Sequence, residues 1–148
     1  MIFAKKDYYQ QKFDKIVETA IIYSDIEFEE CKFVDSSFVE CKFSKCKFIN
    51  CSFENCVLSA VVFDQSRFVD TSFISSKVIG IDWTKTKELQ NLKFTKCQLN
   101  YSNFKLLKLP KLVMIDCEAK EVELIETDLT NSDLSGTDFT GSIFSKTN

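Results

Sequence analysis

Large apolar residues recur at every fifth position along most of this chain. From residue 28 to residue 78 the spacing holds without a break. A period of five fits neither an α-helix, with about 3.6 residues per turn, nor an ordinary strand, whose side chains alternate. It therefore predicts one small backbone unit that repeats and stacks on itself. The positions are Phe28, Phe33, Phe38, Phe43, Phe48, Phe53, Leu58, Phe63, Phe68, Phe73 and Val78.

The period shifts once. The step from Trp83 to Leu89 is six residues, and steps of five then continue as far as Phe144. One residue is thus inserted, and we expect a small loop there that is a candidate recognition element. The loop comprises Thr84, Lys85, Thr86, Lys87 and Glu88.

A second position of the repeat is also selective. Two residues before each large residue stands, in most repeats, a Cys, Ser, Thr or Val, and all seven cysteines of the chain occupy this small position. Free cysteine packs as a small hydrophobe. The small position is therefore expected to face the interior together with the large one.

The pattern small-x-large-x-x resembles the repeat of the pentapeptide-repeat proteins, whose consensus is A-(D/N)-L-x-x. Residues 127–131, 132–136 and 137–141 match it well. In repeat style, including cysteine in the small position, the chain is similar to the Qnr-type quinolone-resistance and microcin-immunity proteins. The resemblance implies an all-β fold, a right-handed quadrilateral parallel β-helix with four repeats per coil and about six coils here.

Four repeats per coil would place residue i beneath residue i+20. Phe33, Phe53 and Phe73 would then share one inner column, with rings stacked about 4.8 Å apart. The last position of each repeat, where Gly80 stands, would adopt a positive φ. Upstream, Glu18 interrupts the large series. We therefore expect residues 1–15 to form a short N-terminal cap, helical or irregular, and residues 16–148 to form the β-helix.

The cysteines and the hydropathy favour a cytoplasmic location. No secretory signal and no apolar run long enough to span a membrane is visible. Seven is an odd number of cysteines, which favours buried free thiols in a reducing compartment. A disulfide between Cys31 and Cys51, or between Cys97 and Cys117, remains an open alternative because each pair is 20 residues apart.

Sites for catalysis are scarce in this sequence. The chain has no histidine, which removes the commonest general base and the commonest metal ligand. No C-x2-C spacing, P-loop, nucleophile elbow or dinucleotide-binding motif occurs. We expect no enzymatic activity, no metal and no cofactor, so the function should lie in the outward-facing positions.

Charge is segregated along the chain. Residues 116–141 carry eight acidic side chains and one basic side chain, whereas residues 1–115 carry 17 basic and 14 acidic ones. One end of the molecule should be mildly basic and the other strongly acidic, through ordinary solubility or through function. The candidate acidic interaction face comprises Glu118, Glu121, Glu123, Glu126, Asp128, Asp133 and Asp138.

A second candidate surface is apolar. β-Branched residues often follow the large residue, where they suit a strand or, if clustered, would form an interaction patch. The candidate apolar interaction face comprises Val39, Ile49, Val69, Ile74 and Ile79.

Two functions remain open. The first is a non-enzymatic protein-interaction or scaffold module that recognises an unspecified partner through the apolar positions and the loop. The alternative follows from the resemblance, because Qnr-type proteins are rod-like DNA mimics that bind and protect DNA gyrase or topoisomerase IV, and an acidic rod can occupy a DNA-binding groove. Both imply a protein partner, no direct nucleic-acid binding and no membrane. Both also allow a monomer or an end-to-end homodimer.

Overall fold

The computed structural model describes residues 1–148 and consists of three-residue parallel strands stacked on four sides. The strands are β1 (Asp7–Tyr9), β2 (Lys12–Asp14), β3 (Ile22–Ser24), β4 (Glu27–Glu29), β5 (Lys32–Val34), β6 (Lys42–Ser44), β7 (Lys47–Ile49), β8 (Ser52–Glu54), β9 (Arg67–Val69), β10 (Ser72–Ile74), β11 (Glu88–Gln90), β12 (Lys93–Thr95) and β13 (Val113–Ile115). The all-β fold implied by the resemblance to pentapeptide-repeat proteins is confirmed.

Each side of the solenoid is one column of stacked repeats. Face 1 is the five-stranded sheet β1-β4-β7-β9-β11, and face 2 is the six-stranded sheet β13-β12-β10-β8-β5-β2. Face 3 is built from isolated bridges, from Val17↔Ser37 to Glu118↔Asp138, and face 4 starts with β3 and β6. The six strands of face 2 agree with the prediction of about six coils.

The register follows the predicted columns and the predicted shift. Phe48 pairs with Phe68, 20 residues on, but Phe68 pairs with Leu89, 21 residues on. The inserted residue is absorbed by a single turn of 3-10 helix, Trp83–Lys85, in which the Asp82 carboxylate accepts a hydrogen bond from the N–H of Thr84. Beyond the insertion the 20-residue register resumes, since Phe94 pairs with Met114.

The interior is filled by columns of aromatic rings. Phe33 stacks on Phe53 with ring centroids 4.5 Å apart, and Phe53 stacks on Phe73 at 4.9 Å, with interplanar angles of 6° and 9°. These rings are at most 2 % exposed, and each contributes roughly 1.5–3 kcal/mol through buried area. The stacked column predicted from the 20-residue spacing is confirmed.

The corners use a left-handed backbone conformation. Every last position from Gln10 to Lys146 has a φ between 48° and 75°, except at the insertion. Most of these residues are not glycine, although a non-glycine residue in this region costs about 1–2 kcal/mol. At Gly136 a side chain would also collide with the Asp116 carboxylate one coil earlier. The positive φ predicted at Gly80 is confirmed.

Side chains in the small position join consecutive coils by hydrogen bonds. The buried Ser66 hydroxyl donates to the carbonyl of Phe43 at 2.8 Å and accepts from the N–H of Cys46 at 3.1 Å. Thr71 and Cys56 donate in the same way to the large residue 23 positions earlier. The small position thus favours a donor as well as a small volume, which explains why Cys, Ser and Thr predominate there. All seven cysteines are buried free thiols.

The N-terminal prediction needs correction. The solenoid begins at Asp7 instead of residue 16, because β1 and β2 pair with β4 and β5 and place Tyr8 beneath Phe28 and Phe13 beneath Phe33. Only residues 1–6 precede the first strand, and they are irregular.

Glu18 explains the error. Its carboxylate occupies a large position, where it accepts hydrogen bonds from Tyr23 Oη at 2.8 Å and from the N–H of Ile2 at 3.0 Å. The core space beside it is filled by Phe3, which stacks on Phe38 with ring centroids 6.0 Å apart and is 2 % exposed. An aromatic residue from outside the strands therefore completes the first coil.

Candidate interaction surfaces

The seven acidic residues predicted as one face surround the C-terminal coils instead. Face 3 carries Glu118, with Asp138 as its bridge partner, and Glu123 lies on face 4. Asp128 follows on face 1, and Asp133 on face 2. Together with Glu121 and Glu126 at corner positions, these residues form what we call the acidic girdle. It presents negative charge in every direction around the axis.

Three aspartates of the girdle also stabilise turns. The carboxylates of Asp128, Asp133 and Asp138 accept hydrogen bonds from both the hydroxyl and the backbone N–H of the residue two positions later, Thr130, Ser135 and Thr140. These bonds lower the pKa of each carboxyl group, the hydroxyl bond contributing most. Asp133 and Asp138 are exposed and Asp128 is partly exposed, so all three keep their charge while stabilising the turns.

The girdle is only partly neutralised. Lys120 Nζ lies 3.1 Å from Glu118 Oε1 and 3.8 Å from Asp138 Oδ2. The pKa of Glu118 is lowered first by a hydrogen bond from the Asn100 side chain and then by the hydrogen bond and charge of Lys120. Glu121 and Glu123 have no cationic group within 4 Å. Asp128 on face 1 and Asp133 on face 2 also lack an ion pair, so free negative charge remains on several sides of the girdle.

The five apolar candidates do not form one surface. Ile49 and Val69 are register partners on face 1. Ile74 lies in β10 on face 2, whereas Val39 and Ile79 belong to repeats of face 3, opposite face 1. Ile74 is the most exposed of the five, at 36 %, and the other four are partly buried. The sequence therefore identified outward positions correctly but not a contiguous patch.

The predicted loop is smaller than its five residues. Thr84 and Lys85 belong to the 3-10 turn, and Thr86 caps its C-terminal end. Lys87 is hydrogen-bonded to the previous coil, since its N–H donates to Ser66 O at 2.8 Å. Glu88 is the first residue of β11. The exposed part of the insertion is one tight turn.

Sequence reasoning missed an open seam on face 1. No backbone hydrogen bond joins residues 87–91 to residues 108–111 of the next coil. A cavity of about 230 Å³ lies there, lined among others by Leu89, Leu92, Pro110 and Leu112. Pro110 has no N–H to donate to the preceding coil, and leucines fill the small positions 92 and 112. A proline in a strand position was the available signal.

Comparisons with known proteins agree with this architecture. The family model described as "Pentapeptide repeat region" matches residues 21–87 and 46–113, and the model "Pentapeptide repeats (8 copies)" matches residues 115–148. The matches cover most of the chain, which therefore belongs to the pentapeptide-repeat family. No curated protein sequence matches it significantly.

Two solved structures of QnrB1, a plasmid-mediated fluoroquinolone resistance protein, are similar in fold. One trypsin-treated form superposes with a TM-score of 0.66 at 17% identity, covering 93% of this chain and 79% of that one. A second trypsin-treated form gives a TM-score of 0.54 at 17% identity, covering 93% and 90%. At this identity the likeness concerns the fold.

No helix in the structure is long and apolar enough to cross a membrane.

Proposed function

We propose that this protein is a non-enzymatic interaction module that binds a protein partner through its outer positions. The observation that carries the proposal is the acidic girdle, which places unpaired carboxylates such as Glu121 and Glu123 on a regular ladder of backbone hydrogen bonds. A partner with a basic surface would gain from this charge mainly in association rate and specificity. A cytoplasmic location is part of the proposal.

The test is capture of partners from a host lysate by the immobilised protein. In the variant E121Q/E123Q/E126Q three girdle charges are removed without changing side-chain shape, and we expect it to lose partners that the wild type retains at low salt. The matched control is E29Q/E40Q/E54Q, with the same change in charge on N-terminal coils. Equal losses from both variants would show that net charge alone governs binding, and would contradict a role for the girdle.

A second candidate is protection of DNA gyrase or topoisomerase IV by DNA mimicry. The girdle favours it, because a rod with negative charge on every side can replace a duplex in a basic groove. The expected result is reduced quinolone inhibition of gyrase supercoiling at stoichiometric protein, weakened by D128N/D133N/D138N. These substitutions keep the carbonyl oxygen that accepts the turn hydrogen bonds, so they remove charge without disturbing the fold. Unchanged inhibition with the wild-type protein would exclude this candidate.

Assembly is a separate part of the proposal. The last repeat leaves Ile143 and Phe144 47% and 45% exposed, and pairing of two such ends would give a two-fold symmetric dimer. Light scattering distinguishes the end-to-end homodimer from a monomer.

A further inference from the structure

Four cationic side chains converge on the edge between faces 4 and 1, in the middle of the rod. Lys45, Lys47, Arg67 and Lys87, together with Gln65 and Cys46, line a cavity of about 200 Å³. We call this site the basic groove. It spans three consecutive coils, and strands of successive coils are spaced about 4.8 Å apart.

The fold holds these cations together for identifiable reasons. Lys47 and Arg67 are register partners in β7 and β9, and Lys45 is at the left-handed corner just before β7. Lys87 occupies a small position, which in most coils holds a buried Cys, Ser or Thr. Here, directly after the insertion, it is exposed. The insertion thus adds a cation where the regular repeat would bury a small side chain.

No carboxylate neutralises the groove. The ion pairs of the molecule involve Lys42, Lys120 and Lys146, and none of the four groove cations has an acidic oxygen within 4 Å. Like charges held this close repel one another. A bound anion would relieve that repulsion and would accept charge-assisted hydrogen bonds, for which the Arg67 guanidinium offers a planar fork of donors.

Carboxylates limit the groove at both ends. On the N-terminal side a neighbouring cavity of about 230 Å³ is lined by Asp25 and Glu27 as well as by Lys45 and Lys47. On the other side Glu88 is the register partner of Arg67 in the next coil. The cationic stretch is therefore about two coil spacings long, or roughly 10 Å. That length suits a short, multiply charged anion better than an extended polyanion.

We propose that the basic groove binds an oligophosphate group, a diphosphate or triphosphate that is either free or part of a nucleotide. Its phosphates would lie along the rod axis, with Lys45 and Lys47 at one end, Arg67 in the middle and Lys87 at the other end. The adjoining carboxylates would exclude longer chains. This site is distinct from the acidic girdle and does not depend on it.

Isothermal titration of the full chain tests the proposal with inorganic phosphate, pyrophosphate, tripolyphosphate, ATP and AMP. We expect one site per chain and affinity that rises from phosphate to tripolyphosphate. R67Q/K87Q should weaken tripolyphosphate binding about tenfold or more, since two charge-assisted contacts are lost. R67K, which keeps the charge but not the fork, should give an intermediate loss. ATP binding tighter than tripolyphosphate would identify a nucleotide as the source of the phosphates, and equal binding would indicate the free anion.

The control variant is K32Q/K93Q, which removes two exposed lysines of face 2 and leaves the groove intact. Its affinity should stay within about twofold of wild type. Equal losses in both double variants would overturn the proposal, as would the absence of binding by the wild type. A single-stranded oligonucleotide is compared with tripolyphosphate in the same titration. If the oligonucleotide binds more tightly and R67Q/K87Q abolishes its binding, the ligand of the basic groove is a nucleic-acid backbone instead of an oligophosphate. Circular dichroism confirms that each variant is folded.

Discussion

Removing one buried hydroxyl tests whether the small position cross-links the coils. Ser66 is fully buried, and its Oγ is the hydrogen-bond partner both of the Phe43 carbonyl, at 2.8 Å, and of the Cys46 N–H, at 3.1 Å. Neither backbone group has another partner in the ladder. Ser66→Ala would leave two buried polar groups unsatisfied, at about 1–3 kcal/mol each. We therefore expect the free energy of unfolding to fall by about 2–6 kcal/mol.

Equilibrium unfolding in urea, followed by far-UV circular dichroism, measures this loss as a lower midpoint at constant slope. Ser66→Cys keeps a donor and an acceptor in the position, as Cys46 does one coil below, and should recover most of the stability. Ser75→Ala, at an exposed corner without side-chain hydrogen bonds, should change stability by less than about 0.5 kcal/mol. The reasoning fails if Ser66→Ala is as stable as wild type, or if Ser66→Cys is as unstable as Ser66→Ala.

Two further predictions follow from the ladder and from the buried thiols. The N–H of Asn91 faces the open seam without an acceptor, whereas that of Asp70, in the same position one coil earlier, donates to Gln90 O at 2.9 Å. In hydrogen exchange followed by NMR, the amide of Asn91 should therefore exchange at least about tenfold faster than that of Asp70. Similar rates would mean that the seam is closed in solution. Burial raises the pKa of Cys51 to about 12 and that of Cys46 to about 11, from 9.0. Because the unfolded chain then loses these protons first, the free energy of unfolding should fall as pH rises from about 9 to about 12, by up to ~1.4 kcal/mol per unit for each thiol. Urea titrations across this range check the fall; the reasoning about the thiols is wrong if Cys51→Ser does not reduce it.

The period predicted a stacked repeat because one rule governs every coil. Inward positions repeat every five residues, so the inward residues and the shift after Trp83 could be derived from spacing. Four repeats per coil, and with them the columns, followed from the resemblance to pentapeptide-repeat proteins. The rule failed at Glu18, where a partly buried carboxylate takes a large position and Phe3 fills the core from outside the strands. The spacing alone cannot show that Phe3, 15 residues before Glu18, supplies the aromatic ring that this core position lacks.

The candidate surfaces were harder to predict than the core. The sequence identified which acidic and apolar residues point outward, but successive repeats turn a corner. Residues in consecutive repeats of the sequence, such as Asp128 and Asp133, therefore lie on different faces. The seam at Pro110 escaped prediction for another reason. It depends on a donor missing from one coil and on leucines in the small positions nearby, and neither breaks the spacing.

The insertion near Thr86 is where this chain departs from a uniform solenoid, and its effect can be argued from the register. Before it, coils are related by 20 residues and the small position is buried; after it, Phe68 pairs with Leu89 and the small position of that repeat holds the exposed Lys87. That one change completes the basic groove, and the open seam lies one coil further on the same face. Because the packed columns continue through the insertion, the backbone tolerates it without losing its core. The outer surface can therefore vary locally while the interior keeps its period, and binding specificity is expected to follow the irregular coils more than the regular ones.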